Sequence, residues 1–116
     1  MKTDPNCIFC KIVAGRIPSK RVHEDDELIV FHDIQPAAPV HLLVVPREHF
    51  ATLDEAEARH QALLGRMVQM SSRLAREAGA ANGYRVVINN GPDGGQEVAH
   101  LHMHVLGGPR PWSRLG

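Results

Sequence analysis

The chain has 116 residues, which suits one hydrophobic core and not two, so we expect a single domain over residues 1–116. Its thirteen basic and thirteen acidic residues are interspersed, which leaves no strong field for binding nucleic acid or a membrane surface. No apolar run approaches the ~20 residues of a membrane-spanning helix, and the first residues lack the apolar segment of a secretion signal. The expected location is therefore the cytoplasm.

The N-terminal half predicts a short helix, a hairpin and a buried strand. Apolar residues recur at helical spacing over residues 6–14, and Gly15 follows as a helix stop. β-prone runs at 22–24 and 28–31 flank an acidic stretch, which predicts a hairpin. The run 41–45 is almost entirely apolar and is ended by Pro46, so we expect a strand in the middle of the sheet.

The C-terminal half predicts one long helix and two strands. Asp54 and Glu57 have the spacing of a capping box, so the helix is expected to begin near Asp54 and to end at Gly79. Its expected apolar stripe consists of Leu64, Met67, Val68, Leu74, Ala75 and Ala78. Strands are predicted over residues 84–88 and 98–106, with a loop rich in turn-forming residues at 89–96.

These elements predict the α+β fold class: a five-stranded antiparallel sheet with one long and one short helix. The core is expected over residues 7–108. Residues 109–116, rich in proline and glycine, are expected to form a tail that is loosely held unless a partner subunit orders it.

Histidine occupies alternate positions from 100 to 104, and apolar residues fill the positions between them and after them. Because a strand sends successive side chains to opposite faces, this spacing places His100, His102 and His104 on one face. Three neighbouring imidazoles can hold a cation together, or they can bind and attack an anion. A merely polar sheet face is the third alternative.

The loop before these histidines favours the anion. It reads Asp93-Gly94-Gly95-Gln96, and two residues without Cβ let backbone N–H groups approach a phosphate closely. Asn89 and Gln96 are neutral donors that fit an oxyanion better than a metal. A catalytic tri-histidine metal site remains the alternative.

The ordered motifs Phe31-His32-Asp33-Ile34, Pro39-x-His41, Asp93-Gly94-Gly95-Gln96 and His100-x-His102-x-His104 resemble the histidine-triad (HIT) family. The resemblance runs from about Cys7 to Gly108 and is strongest to nucleoside phosphoramidases, also called histidine-triad nucleotide-binding proteins, of the bacterial zinc-binding type. It implies a HIT-like fold and a homodimer with one continuous sheet, in which the tail near Trp112 reaches the partner's site. It also implies a purine nucleotide of the AMP or GMP type as substrate or product.

The resemblance assigns the chemistry to the histidines. It implies that His102 attacks the α-phosphorus and forms a nucleotidyl-histidine intermediate that water hydrolyses. His104 would bind a phosphate oxygen or the leaving group, His41 would contact the same site, and His100 completes the catalytic set. No organic cofactor is implied.

The resemblance also implies a substrate pocket. Asp33 would accept both ribose hydroxyls, although a turn-capping role is the alternative. Core packing competes with base binding for Phe9 and Phe31. Glu97 departs from the serine of vertebrate members, and would either turn away from the phosphate or donate a proton to the leaving amine. The expected substrate-binding residues are Phe9, Phe31, His32, Asp33, Ile34, Asn89, Gly95, Gln96, Glu97 and Val98.

Cys7-x-x-Cys10 is a pair of thiols, a redox couple or half of a metal site. In some bacterial relatives, positions matching His49 and His100 complete a Cys-Cys-His-His site. The resemblance therefore implies a structural Zn²⁺ bound by Cys7, Cys10, His49 and His100. Such a site would join the N-terminal helix to the catalytic segment.

The predicted function is hydrolysis of purine nucleoside phosphoramidates or related α-phosphate bonds. A nucleotide-binding regulatory module with little turnover would use the same pocket without forming the intermediate. A metallohydrolase with metal on all three histidines is the third hypothesis, and it predicts chemistry that a chelator abolishes.

Overall fold

One antiparallel sheet of five strands organises the molecule. A computed structural model describes residues 1–112; the expectations for residues 113–116 lie outside the described residues. The elements are α1 (Ile8–Val13), β1 (Arg21–Glu24), β2 (Leu28–His32), β3 (Val40–Pro46), α2 (Gln61–Glu77), β4 (Tyr84–Val87) and β5 (Met103–Gly107). The strand order in the sheet is β1-β2-β3-β5-β4. The predicted α+β architecture is therefore confirmed.

β3 is the central strand, as its apolar run predicts, and both of its faces are covered. On one face its side chains pack under α2, in a core that includes Leu42, Val44, Met67 and Met103. On the other face Leu43 and Val45 pack with Phe9 of α1. A strand buried on both sides needs apolar residues at nearly every position, which is why no alternation marks β3.

The long helix begins later than the sequence predicts. Residues 53–55 and 58–60 form two short 3-10 turns, because Ala56 and Glu57 adopt extended backbone angles. The capping box is formed by Glu57 and His60 rather than by Asp54 and Glu57, and α2 starts at Gln61. The helix ends as predicted, since Gly79 adopts a φ of 103°.

The apolar stripe of α2 differs in part from the prediction. Met67, Leu74 and Ala75 are buried against the sheet, and Leu63 and Ser71 join them. Val68 is 51% exposed and faces outward. α2 contacts β5 and β4, so the residues on that side of the helix are the buried ones.

The last strand is shorter than the predicted 98–106, and it starts only at Met103. Residues 98–100 form a bend in which the His100 N–H donates to the Val98 carbonyl at 2.9 Å. The Leu101 N–H then donates to the Phe50 carbonyl at 2.8 Å instead of joining the sheet ladder. The bend leads the histidine segment past α1 before it enters the sheet.

The chain after β5 returns against its own sheet. Trp112 Nε1 donates to the Gly108 carbonyl at 3.1 Å, and the guanidinium groups of Arg85 and Arg110 lie over the indole ring. These residues border a hollow of about 610 Å³ beside β4, the edge strand. Within residues 1–112, no helix has the length and apolar character needed to cross a membrane.

Candidate active site

The histidine segment presents its three imidazoles on the α1 side of the sheet, as the alternation predicts. Leu101, Met103 and Val105 point into the core beneath α2. His102 lies 5.0 Å from the Phe9 ring on the opposite side, measured between ring centroids, and the rings of His102 and His104 are also 5.0 Å apart. Only His104 belongs to a regular strand.

The ring of His102 is held in one tautomer by the backbone. Its Nδ1 lies 2.7 Å from the His100 carbonyl oxygen. Since a carbonyl only accepts, Nδ1 carries the proton and Nε2 keeps its lone pair. Burial lowers the pKa of His102, against the opposing effects of the His100 carbonyl and the negative charges of Asp33 and Glu97. The neutral, nucleophilic form is therefore favoured near neutral pH.

A second chain of hydrogen bonds fixes the ring of His104. The Ala37 N–H donates to Nδ1 of His41 at 2.9 Å, so the proton of His41 is on Nε2. That Nε2 lies 2.8 Å from Nδ1 of His104 and 3.4 Å from a carboxylate oxygen of Asp33. Because Nδ1 of His104 accepts the hydrogen bond from the Nε2–H of His41, the ring proton of His104 is on Nε2, which is left as a donor.

The loop 89–96 approaches the same histidines and is braced by Gln96. The Gly91 N–H donates to Oε1 of Gln96 at 2.8 Å. Nε2 of Gln96 donates to the Ala51 carbonyl at 2.7 Å and to the Val98 carbonyl at 2.9 Å. The side chain of Gln96 is thus engaged with backbone groups, and it does not line the cavity over His102 and His104.

A cavity of about 240 Å³ lies over His102 and His104. It has an apolar end built from α1, the 17–18 segment and β2, and a polar end formed by the histidines, Asp33 and the loop 89–98. Of the expected site residues it is lined by Phe9, Phe31, His32, Asp33, Ile34, Asn89, Gly95, Glu97, Val98, His102 and His104.

Several lining residues were not anticipated from the sequence: Ile8, Ile12, Ile17, Pro18, Ser19, Gln35 and Leu43. Of these residues, Ile8 had the strongest signal in the sequence, because it lies four residues before Ile12 and therefore on the same face of the predicted helix. In the structure Ile8 is 48% exposed. Helical spacing alone cannot separate a wall of a cavity from an ordinary core face.

Phe9, Phe31 and Asp33 each combine a structural role with a place in the site. The two phenylalanines are almost completely buried and pack edge to face at 5.8 Å, yet they also line the cavity. One carboxylate oxygen of Asp33 accepts the Gln35 N–H at 2.8 Å, which is a turn-capping contact. The other faces His41 inside the site.

Four potential metal ligands converge beside the first turn of α1. The ligand atoms of Cys7, Cys10, His49 and His100 all lie within 4.8 Å of one another. Nδ1 of His100 is 3.3 Å from the Cys7 sulfur and 3.1 Å from Nδ1 of His49, which is 3.4 Å from the Cys10 sulfur. Ligand atoms around a tetrahedral Zn²⁺ are separated by roughly 3.3–3.8 Å, so the arrangement is compatible with zinc.

The second nitrogen of His100 supports the same interpretation. Its Nε2 donates to the Pro46 carbonyl at 2.8 Å, which leaves the Nδ1 lone pair directed at the thiols. Burial lowers the pKa of His100 to about 4, so the ring is neutral, as a metal ligand must be. His100 therefore lies among the thiols and does not line the cavity. Both cysteines are free of disulfide bonds.

Proteins of known sequence are similar to this chain over most of its length. Protein HitA of Neisseria gonorrhoeae is 50% identical over 104 residues, which cover 90% of this chain and 97% of that protein. The purine nucleoside phosphoramidase of Escherichia coli is 44% identical over 102 residues, covering 87% of this chain and 86% of the enzyme.

Solved structures agree with the fold. A histidine triad protein from Clostridium difficile superimposes with a TM-score of 0.88 at 42% identity, over 94% of this chain and 96% of its own. A zinc-bound histidine triad family protein from Mycobacterium smegmatis superimposes with a TM-score of 0.79 at 35% identity, over 88% of this chain and 74% of its own. The HIT domain model matches residues 14–110, and the chain belongs to the HIT family.

Proposed function

We propose that the protein is a nucleotide-binding hydrolase that cleaves purine nucleoside 5′-phosphoramidates through a nucleotidyl intermediate on His102. One observation carries the proposal: an imidazole with its Nδ1 proton held by a carbonyl lies on the floor of a cavity that is apolar at one end. The likeness to the Escherichia coli phosphoramidase supports the choice of substrate.

In the first step, the lone pair of His102 Nε2 forms a bond to the α-phosphorus while the bond from phosphorus to the amine nitrogen breaks. The electron pair of that bond leaves with the amine, which takes one proton from water in the open cavity. In the second step, a water oxygen attacks phosphorus, the bond to Nε2 breaks, and the lone pair returns to His102. The water releases one proton, and the products are the nucleoside monophosphate and the amine.

Neutral donors stabilise the charge on the phosphate oxygens. The Nε2–H of His104 is fixed by the hydrogen bond from His41, and it faces the cavity that contains His102. Asn89 and the backbone N–H groups near Gly95, Gln96 and Val98 supply further donors on the loop side. Because the loop is braced beforehand by the side chain of Gln96, these donors need little reorganisation during the reaction.

The nucleoside is held by the rest of the cavity. Its base occupies the apolar end beside α1 and β2, where Phe9 and Phe31 present aromatic surface and Ile34 is 93% exposed. Asp33 binds the ribose hydroxyls with the lone pairs left after its contacts to Gln35 and His41. His32 borders the same end.

A structural Zn²⁺ held by Cys7, Cys10, His49 and His100 completes the proposed site. Four protein ligands leave no open position, so the metal would supply cross-linking and no reaction chemistry. The cross-link would join α1, which forms a wall of the cavity, to the segment that carries His102.

We also propose that the protein forms a homodimer through β4 and α2. β4 is an edge strand whose Tyr84 is 43% exposed, and strand pairing there would continue the sheet into a second copy. Light scattering on the purified protein tests this: a molar mass near twice that of one chain is expected, and a monomer contradicts it.

The function is tested by assaying the purified protein with adenosine and guanosine 5′-phosphoramidates. We expect turnover in the wild type, a loss of at least about 10³-fold in His102→Ala, and retained nucleotide binding in that variant. Experiments with labelled substrate, quenched in alkali because the bond between phosphorus and the imidazole nitrogen is acid-labile, should detect nucleotide bonded to His102. Binding without turnover would instead identify a regulatory module, and loss of chemistry on chelation from a protein that stays folded would identify a metallohydrolase.

A further inference from the structure

A second cavity adjoins the substrate cavity. It has a volume of about 280 Å³ and lies between the N-terminal segment and the residues just before the histidine strand. Ile8, Glu97 and Val98 line both cavities, so they lie at the border between the two. A group that extends from the phosphate beyond the first cavity has room here.

The fixed charges around the two cavities are all negative. Within the described residues 1–112, no lysine and no arginine lines either cavity. The carboxylates that do line them are Asp33 in the first, Asp4 in the second, and Glu97 in both. A Zn²⁺ held by two thiolates and two neutral imidazoles has no net charge, so a filled metal site would not alter this balance.

Glu97 is the carboxylate placed between the two cavities. It is exposed, and no arginine or lysine among the described residues forms an ion pair with it. It lines the first cavity together with His102, the proposed nucleophile, and its negative charge acts on that ring. Asp33, by contrast, is engaged by Gln35 and His41 and does not line the second cavity.

The geometry of the proposed reaction brings the leaving group past Glu97. In a displacement at phosphorus the nucleophile and the leaving group lie roughly in line. His102 is buried on the cavity floor, so the leaving group points away from the floor toward the open side. The nucleoside takes the apolar end, and the border with the second cavity, where Glu97 and Val98 lie, remains for the amine.

We propose that Glu97 is a specificity-determining residue that selects phosphoramidates whose leaving amine carries a further positive charge. This inference rests on the proposed function and names the substrate class of that site. A carboxylate without a basic partner repels an anionic leaving group and attracts a cationic one, while a neutral one is unaffected. Two unit charges about 6 Å apart at a protein surface interact strongly enough to change a rate constant by about 100-fold without salt, and screening at physiological ionic strength reduces this to about tenfold.

The test uses three adenosine 5′-phosphoramidates of matched length, made from butane-1,4-diamine, 4-aminobutan-1-ol and 4-aminobutanoate. Their leaving amines end in an ammonium, a hydroxyl and a carboxylate. In the wild type we expect kcat/KM to fall in that order by about tenfold at each step, and the steps to shrink at high ionic strength. In Glu97→Gln the cationic-to-anionic ratio should fall by at least about tenfold.

Two controls separate the local charge of Glu97 from the net charge of the protein and from the chemical step. Asp26→Asn removes one negative charge from an exposed turn outside both cavities, and it should leave the ratio unchanged. Binding of the three compounds to His102→Ala, measured by calorimetry, should follow the same order, so charge selection is tested even without turnover.

The opposing outcomes are distinct. Equal kcat/KM for the three compounds in the wild type, or an unchanged ratio in Glu97→Gln, overturns the inference and leaves the proposed function intact. A uniform loss on all three substrates in Glu97→Gln also overturns it, because that result identifies a general proton donor. If none of the three compounds is hydrolysed but their affinities follow the expected order, the proposed function is wrong and the charge selection by Glu97 stands.

Discussion

Nε2 of His41 lies 2.8 Å from Nδ1 of His104, and the two residues are 63 positions apart in the sequence. His41 is 2% exposed, and its other nitrogen accepts the Ala37 N–H. The hydrogen bond therefore has one direction, from His41 to His104. It determines which nitrogen of His104 presents a proton to the cavity.

We expect His41→Ala to lower kcat/KM by about 10–100-fold, because His104 then loses its fixed tautomer and orientation. His41→Gln should recover part of the activity, since its amide nitrogen can replace the Nε2 donor. Long-range ¹H–¹⁵N spectra of the ring nitrogens provide the direct measurement. Unchanged spectra of His104 in His41→Ala would show that His41 does not set its tautomer.

The bracing of loop 89–96 by Gln96 gives a second prediction. Gln96→Ala removes three hydrogen bonds to backbone groups, and it should cost about 1–3 kcal/mol of stability and raise KM for the nucleotide. Gln69→Ala, on the exposed face of α2, is the matched control and should change neither quantity. Hydrogen exchange should become faster at the Gly91 amide; an unaltered exchange rate there would contradict the bracing role.

The metal site predicts one zinc per chain by elemental analysis of protein produced with zinc available. Cys7→Ser should lower the zinc content and reduce the midpoint of thermal unfolding by about 10 °C, because bound metal stabilises only the folded state. Lys11→Ala, on the same helix, should retain the metal. A wild-type protein without zinc, and with a melting point insensitive to chelator, would exclude the site.

The β1–β2 turn contains a carboxylate whose ionisation should matter to stability. Burial of Asp25 alone would raise its pKa, but hydrogen bonds from Arg66, His23 and the backbone N–H groups of Glu27 and Leu28 hold the pKa well below its usual range. The stabilisation is therefore fully present above the unfolded pKa of about 4 and is lost as pH falls through the lower folded pKa.

Asp25→Asn should thus destabilise the protein by about 1–3 kcal/mol between pH 5 and pH 8, with a difference that narrows below pH 4. Denaturant unfolding of both proteins across this range measures the difference. Asp26→Asn, at the neighbouring exposed position, should show no such difference. A constant gap down to pH 2 would mean that the charge of Asp25 is not what stabilises the turn.

The sequence by itself determined the features that depend on local periodicity. A period of two placed the histidines on one face and their apolar neighbours in the core, and the continuous apolar run located β3 at the centre of the sheet. The glycines at 79 and 15 marked helix ends correctly, because positive φ angles are local requirements. The ordered motifs also identified the family.

The tertiary structure decided what depends on partners distant in the chain. The nitrogen of His100 that faces Cys7 is chosen by a sulfur 93 positions away and by the Pro46 carbonyl on its other side. Gln96 becomes a brace because the Ala51 carbonyl, 45 positions earlier, comes within reach of its amide. The start of α2 and the first residue of β5 also depend on distant partners, and the sequence patterns placed both too early. Hydrogen bonds and charges act over a few ångströms, so their partners are known only once the chain has folded.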